Sequence, residues 1–252
     1  MKKLRTYNTN TREYFLYKEM HEKQTLEFVE GKLKQYNKLD NEIMDIKTVL
    51  SLMDNFIDPS DPDLDEPNSV HAYQTAERIR KKYPNNYALQ VTGLIHDLGK
   101  ILFRFNEPPW AVVGDTYVVG CKHAKSIVYY DTLPKDKYSK IGIYKENIGI
   151  SNLKLSFGHD EYLYSVLKNN KTHKLPEKYW NIIRFHSFYP WHEGKDYKHF
   201  MNKTDINLME DVLHFNQFDL YSKTDTDFKL TDNIKTYYDD LLHDFFPEKL
   251  KW

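Results

Sequence analysis

A histidine and an aspartate stand side by side at His96 and Asp97, in the run Gly93-Leu94-Ile95-His96-Asp97-Leu98-Gly99-Lys100, and a lysine follows about one helical turn on. Both side chains are metal ligands. Neighbours on a helix point ~100° apart, so both reach one ion only where the backbone itself comes close to it. Glycines at 93 and 99 permit that approach. Such a pair also arises by chance, and its weight depends on what else in the chain completes a site.

Three later segments place an ionisable residue on an apolar helical stripe. His159 aligns with Tyr162, Leu163 and Val166; His186 with Tyr179, Ile182 and Ile183; Asp219 with Leu208, Val212 and Phe215. Taken singly, His159 and His186 read first as hydrogen-bonded core histidines. Asp219 is harder to dismiss, because burying an unpaired carboxylate costs several kcal/mol or forces it to protonate; it requires a lysine, an arginine or a metal. His71 lies near the start of its helix, where a surface or capping role is the plain alternative. His71, His96, Asp97, His159, His186 and Asp219 together offer four imidazoles, two carboxylates and no thiolate. That donor set suits iron, manganese or zinc. Six ligands over-supply one ion whose substrate must also bind, but serve two ions well, with Asp97 as the bridge. The remaining histidines (21, 123, 173, 192, 199, 214 and 243) are assigned no role.

The elements that must carry these residues are mostly helices. Periodicity predicts helices over 18–36 and 43–56, then a proline-punctuated acidic stretch from Asp58 to Pro67 that reads as a solvated loop. It lacks the glycine that an EF-hand needs at its sixth position. Asn68 or Ser69 can cap a helix to about Lys82. A helix over 86–98 carries Tyr87, Val91, Leu94, Ile95 and Leu98 on one face and turns His96 away from it; Lys100 falls on the side of His96 if the helix persists that far. Residues 111–120 read as a small hairpin or two short strands. Further helices are expected at 121–130, 152–169, 177–187, 206–221 and 233–244. The expected fold class is all-α, a single helical bundle over 1–252 with a minor β hairpin.

The 252 residues suffice for one sizeable core, with 40% apolar and 29% charged residues. The 20 tyrosines call for a core and clefts rich in hydroxyl-tipped rings. A formal charge of −1 and the lack of a long basic block argue against nucleic acid, and Arg80-Lys81-Lys82 reads as a solvated helix face. The single cysteine, Cys121, rules out an internal disulfide and fits a reducing compartment, as a small core residue. Met1-Lys2-Lys3 is followed by no apolar signal core, and no run approaches the ~18 apolar residues of a membrane span. A cytoplasmic monomer is expected.

The order His71, His96-Asp97, Asp219 resembles that of the HD-domain superfamily, mostly metal-dependent phosphohydrolases. More specific words surround it: Asp61-Pro-Asp-Leu-Asp-Glu-Pro-Asn-Ser-Val-His71, His96-Asp-Leu-Gly-Lys100, Pro109-Trp-Ala-Val-Val-Gly-Asp-Thr116, Gly158-His-Asp-Glu-Tyr162, Arg184-Phe-His-Ser-Phe-Tyr-Pro-Trp191 and Phe215-Asn-Gln-Phe-Asp-Leu-Tyr221. Through them the chain resembles the myo-inositol oxygenase family from about Arg5 to Trp252. The resemblance implies two irons, mixed-valent Fe(II)/Fe(III) in the working state. One takes His71, His96, Asp97 and Asp219; the other takes Asp97, His159 and His186 and leaves positions for substrate. It implies an outer, orienting role for Asp160. It also implies substrate contacts from Arg5, Asp58, Pro59, Ser60, Lys100, Gly114, Asp115, His186, Ser187 and Lys223. The chain departs from the family in a short lead before Arg5, in Pro59 where an acidic residue stands, and in a shorter loop around 131–150. These bear on closure of the N-terminal segment and not on the metals.

The implied reaction is ring opening of myo-inositol by O2 to D-glucuronate. It needs no nicotinamide or flavin, and no Gly-x-Gly-x-x-Gly is present. Lys100 is the expected catalytic cation, since a positive charge beside a metal-bound hydroxyl stabilises developing negative charge. A neutral polyol wants several carboxylates and hydroxyls, whereas a phosphate ester wants clustered arginines and lysines. The rivals are an HD-type phosphohydrolase, a diiron oxygenase acting on an organophosphonate, and a non-catalytic helical module stapled by a structural metal. Lys100 and Asp115 count against the last, because a closed structural site needs no such neighbours.

Overall fold

Thr11 opens the first helix, its hydroxyl accepting from the Tyr14 N–H, and Thr25 opens the second by accepting from Phe28. These caps divide the helix expected over 18–36 into α1 (Arg12–Lys23) and α2 (Leu26–Tyr36). Between them Gln24 turns inward, bonding the Trp110 and Phe157 carbonyls and the Phe157 N–H instead of continuing the helix. The computed structural model describes residues 9–60, 67–222 and 228–252, with backbone alone at 221–222. The expected 43–56 helix is likewise divided into β1 (Ile43–Met44), α3 (Ile46–Leu52), capped by Asp45, and a 3-10 turn at Met53–Asn55.

Then follow α4 (Asn68–Lys82), α5 (Tyr87–Ile95), α6 (His159–Asn169), α7 (Glu177–Phe185), the short α8 (Tyr189–His192), α9 (Asp205–Ser222), α10 (Asp232–Phe245) and β2 (Leu250–Lys251). Helix α4 packs against α5 and α9, and α6 against α7. The fold is all-α. Its strand pair lies elsewhere than expected: β1 and β2 run antiparallel, with Ile43 opposite Lys251 and Met44 opposite Leu250. Trp252, fully buried, donates its indole N–H to the Met44 carbonyl.

No hairpin forms within 111–120. The extended run 117–119 finds its partner in 154–156, through Val119 N–H to the Lys154 carbonyl (3.0 Å) and Ser156 N–H to the Tyr117 carbonyl (2.7 Å). The helix expected at 121–130 is absent because those N–H groups bond elsewhere: Lys122 to the Ser139 carbonyl and His123 to the Asp136 carboxylate. Residues 153–158 are extended, so α6 begins only at His159. Helix α5 stops at Ile95 rather than 98 and passes into a 3-10 segment, Leu98–Phe103. That segment packs closely on the start of α6: a Cβ on Gly99 would stand 2.0 Å from the His159 carbonyl oxygen.

The core holds tyrosines in number, as composition suggested: Tyr17, Tyr36, Tyr117, Tyr162 and Tyr238 are all buried. The Tyr36 hydroxyl donates to Glu107 (2.6 Å), which also pairs with Lys32. His21 of α1 is buried too. Its Nδ1 faces Thr132 Oγ1 at 2.6 Å, and that hydroxyl donates to the Tyr129 carbonyl, so His21 Nδ1–H donates to Thr132. Burial, helped by nearby His123, pulls the His21 pKa from 6.5 down to about 3. The unfolded chain therefore binds a proton below pH 6.5 that the folded chain refuses. The associated stability is fully present above pH 6.5 and declines as pH falls toward 3. At pH 5 the loss is about 2 kcal/mol. A His21→Gln protein is expected to show a smaller drop in Tm between pH 7 and pH 5 than the parent; equal drops exclude this residue as the acid-sensitive group.

Candidate metal centre

The ends of helices supply most of the centre. His96 and His186 are the residues immediately after α5 and α7, and His159 is the first of α6. His71 comes from the first turn of α4 and Asp219 from the last turn of α9. All six expected ligands converge and are buried, Asp97 at 4% exposure. His71 is thus neither a surface nor a capping residue. The Pro67–Asn68 junction starts α4 without a side-chain cap, and the helix turns His71 inward to the Asp219 carboxylate at 2.9 Å.

Asp97 divides its two oxygens between two groups. Oδ1 lies 3.3 Å from His159 Nε2 and 3.8 Å from His186 Nε2; Oδ2 lies 3.6 Å from His96 Nε2 and 4.0 Å from His71 Nε2. Asp219 Oδ1 joins the second group, 2.9 Å from His71 Nε2 and 3.3 Å from His96 Nε2. Among the described residues two ligand triads form, His71–His96–Asp97 and Asp97–His159–His186, sharing Asp97.

Backbone carbonyls set the tautomers. Nδ1 of His96 donates to Gly93 O (2.8 Å), of His159 to Val112 O (2.8 Å) and of His186 to Ile183 O (2.7 Å). A carbonyl only accepts, so each neutral ring keeps its proton on Nδ1 and turns the Nε2 lone pair toward Asp97. Burial opposes charge on His159, but Asp160, 2.6 Å from its Nε2, and Asp97 outweigh it and raise its pKa to about 10. His186 is raised against its burial by Asp160 and Asp97. Burial pushes Asp97 up, but Lys100 and His96 hold it well below the usual carboxylate range. The carboxylates thus demand positive charge at the Nε2 atoms. Two convergent imidazole–carboxylate sets with that electrostatic demand fit divalent or trivalent iron, manganese or zinc.

Lys100 completes the inner wall. Its ammonium has three N–H groups and three acceptors, Asp58 Oδ2 (2.7 Å), Asp97 Oδ2 (2.8 Å) and Asn68 Oδ1 (2.9 Å). Burial opposes its charge, but Asp58 and Asp97 raise its pKa above the ordinary lysine value. It reaches Asp97 from the 3-10 segment, three residues on, rather than from a continued α5. Asp58 departs from the solvated loop expected of 58–67: its side chain is 12% exposed and turned in to Lys100. Its Oδ1 also accepts from Ser60 N–H and Oγ–H. Residues 61–66 of that stretch lie outside the described residues.

The cavity above the ligands is lined by Tyr17, Asp58, Ser60, Lys100, Gly114, Asp115, Ser187 and Tyr189 besides the histidines and Asp97 and Asp219. Asp58, Ser60, Lys100, Gly114, Asp115, His186 and Ser187 are therefore brought together as expected. Pro59 is not in the lining, and Arg5 and Lys223 lie outside the described residues. Tyr17 was not foreseen. Its hydroxyl donates to Asp115 Oδ1 and accepts from the Asp115 N–H, both at 3.0 Å. Gly114 has φ +103°, and a Cβ there would meet Met20 and Tyr17 at 3.3 Å, so α1 sits directly on this turn. A tyrosine on an amphipathic helix carries no motif; only the apolar face of α1 could have drawn attention to it. Asp160 is fully buried between His159 and Ser187, whose N–H and Oγ both lie 3.3 Å from its carboxylate.

A family model described as myo-inositol oxygenase matches residues 10–252. The chain is 43% identical over 249 residues to the inositol oxygenase of Mus musculus, spanning 96% of this chain and 87% of that protein, and the same figures hold for that of Homo sapiens. It is 46% identical over 246 residues to inositol oxygenase 1 of Arabidopsis thaliana, spanning 94% of this chain and 78% of that one.

Proposed function

Since the chain belongs to the myo-inositol oxygenase family, we infer that it opens the ring of myo-inositol with O2, giving D-glucuronate and water, and that two iron ions serve the reaction. The observation that carries this reading is the division of the Asp97 oxygens between two histidine sets, with the Lys100 ammonium 2.8 Å away. His71, His96, Asp97 and Asp219 would hold one ion, and Asp97, His159 and His186 the other. Ions held there would supply electron transfer with O2 and the Lewis acidity that acidifies a substrate hydroxyl.

The protein's own groups bind and orient the polyol. Substrate has six hydroxyls and no charge, and the cavity offers carboxylates at Asp58 and Asp115 and hydroxyls at Ser60 and Ser187. Among the described lining residues Lys100 is the one lysine or arginine, set against four aspartates. That balance suits a neutral polyol and disfavours a phosphate ester. Lys100 stabilises negative charge growing on a substrate hydroxyl; since its N–H groups are already engaged, that hydroxyl replaces one present acceptor. Asp115, held by Tyr17 in the cavity lining, is placed to bind a substrate hydroxyl. Tyr17→Phe is accordingly expected to raise KM for myo-inositol about tenfold, the cost of a lost hydrogen bond to a charged group, while leaving metal content and kcat near the parent values. An unchanged KM removes Tyr17 from substrate binding.

No described helix is long and apolar enough to cross a membrane. A cytoplasmic monomer acting on a small polyol is the accompanying proposal. The test of the reaction is oxygen consumption by iron-loaded, partly reduced protein given myo-inositol, with the product identified by mass spectrometry. One glucuronate per O2 is expected. No uptake by protein that carries two irons overturns the reading in favour of phosphate esters or phosphonates.

A further inference from the structure

Helix α9 touches both halves of the centre. Asp219 in its last turn belongs to the His71–His96 group. Asn216, three residues earlier and 3% exposed, reaches across to α7, where its side-chain N–H donates to the backbone carbonyl of His186 at 2.9 Å. That carbonyl stands just beyond the end of α7, where no helical N–H follows to satisfy it. His192 Nε2, at 3.1 Å, is a second partner. Only a donor can face a carbonyl oxygen, which fixes the orientation of the Asn216 amide. The His186 ring is held from its other side by Nδ1–H to Ile183 O.

We propose that Asn216 is a positioning residue that ties the two metal positions together, setting His186 of the second by reference to Asp219 of the first. The inference rests on the two-metal reading above. One amide on one rigid helix then governs how far the second ion's ligand stands from the first ion's, although it touches neither ion. Its loss acts on the second position, because α9 still delivers Asp219 while the 186 carbonyl keeps only His192.

The test is anaerobic titration of metal-free protein with Co(II), followed by calorimetry and visible absorption, which needs no turnover. The first position has four protein ligands against three for the second and fills first. The parent protein is expected to take two ions per chain in two steps. Asn216→Leu, similar in size and without a donor, should keep the first step and weaken the second by about 10–100-fold, the usual effect of removing an outer partner of a ligand. Asn216→Ala serves the same purpose if leucine is not accommodated. An unchanged second step, or equal weakening of both, overturns the tie. A parent protein that takes a single ion overturns the two-metal reading and the tie with it.

Discussion

Asp97→Ala is expected to yield a folded protein that retains neither iron and consumes no oxygen with myo-inositol. Among the described residues the Asp97 side chain is the one whose two oxygens face both histidine sets, at 3.3 and 3.8 Å on one side and 3.6 and 4.0 Å on the other. On the two-iron reading, removing it deletes a ligand from each ion at once. It also deletes the charge that draws cations to four imidazoles. Turnover should fall by about 10⁴-fold or more, as when a principal catalytic group is removed. Iron analysis after gel filtration, beside far-UV circular dichroism, separates this from unfolding. An exchange-coupled iron pair that survives in the variant sinks the bridging assignment.

Lys100→Ala should separate chemistry from metal binding. The lysine lies outside both ligand triads, yet its ammonium lies 2.8 Å from the shared carboxylate. Iron content is expected to stay at the parent level while kcat falls about 10²–10³-fold, the scale of losing one preorganised electrostatic contact. The metal-free variant should also lose stability. Asp58 and Asp97 are buried and both are held below the usual carboxylate range with Lys100 as the leading cation; without it Asp58 loses its cation and Asp97 is left with the histidines alone. Breaking such a buried pair costs about 3–5 kcal/mol. Lys100→Met, closer in volume, distinguishes the lost charge from a cavity. Parent-like kcat in either variant removes the catalytic role.

Much of this centre was legible because ionisable residues on apolar stripes are expensive. That cost singled out Asp219, and His96-Asp97 announced itself as a pair; His159 and His186 read singly as core histidines and gained weight only as members of the six-residue set. Helices α4, α9 and α10 were equally legible, since their 3.6-residue periodicity runs unbroken, whereas capping residues inside 18–36 and 43–56 divided what periodicity alone had joined. The stretch 111–158 was not. Its backbone groups bond to distant partners, Val119 to Lys154 and Lys122 to Ser139, and local pattern has no access to those. Tyr17 and Asn216 escaped for a related reason. A phenol or an amide is common on any helix, and its role depends on which acceptor a remote element brings near. The inward turn of Asp58 depended likewise on Lys100, 42 positions away in the chain.

Gly99 holds the 96–100 turn against the start of α6, with no room for a single methyl group between position 99 and the His159 carbonyl. Seen as a matter of inheritance, that contact makes position 99 as intolerant as any ligand. A coding change there to alanine, serine or any larger residue pushes His96-Asp97 away from His159 while leaving every chemical group of the centre in place. Inactive alleles can therefore arise at a residue with no side chain to lose, and a survey of variants that scores only ligands and substrate contacts would pass over them.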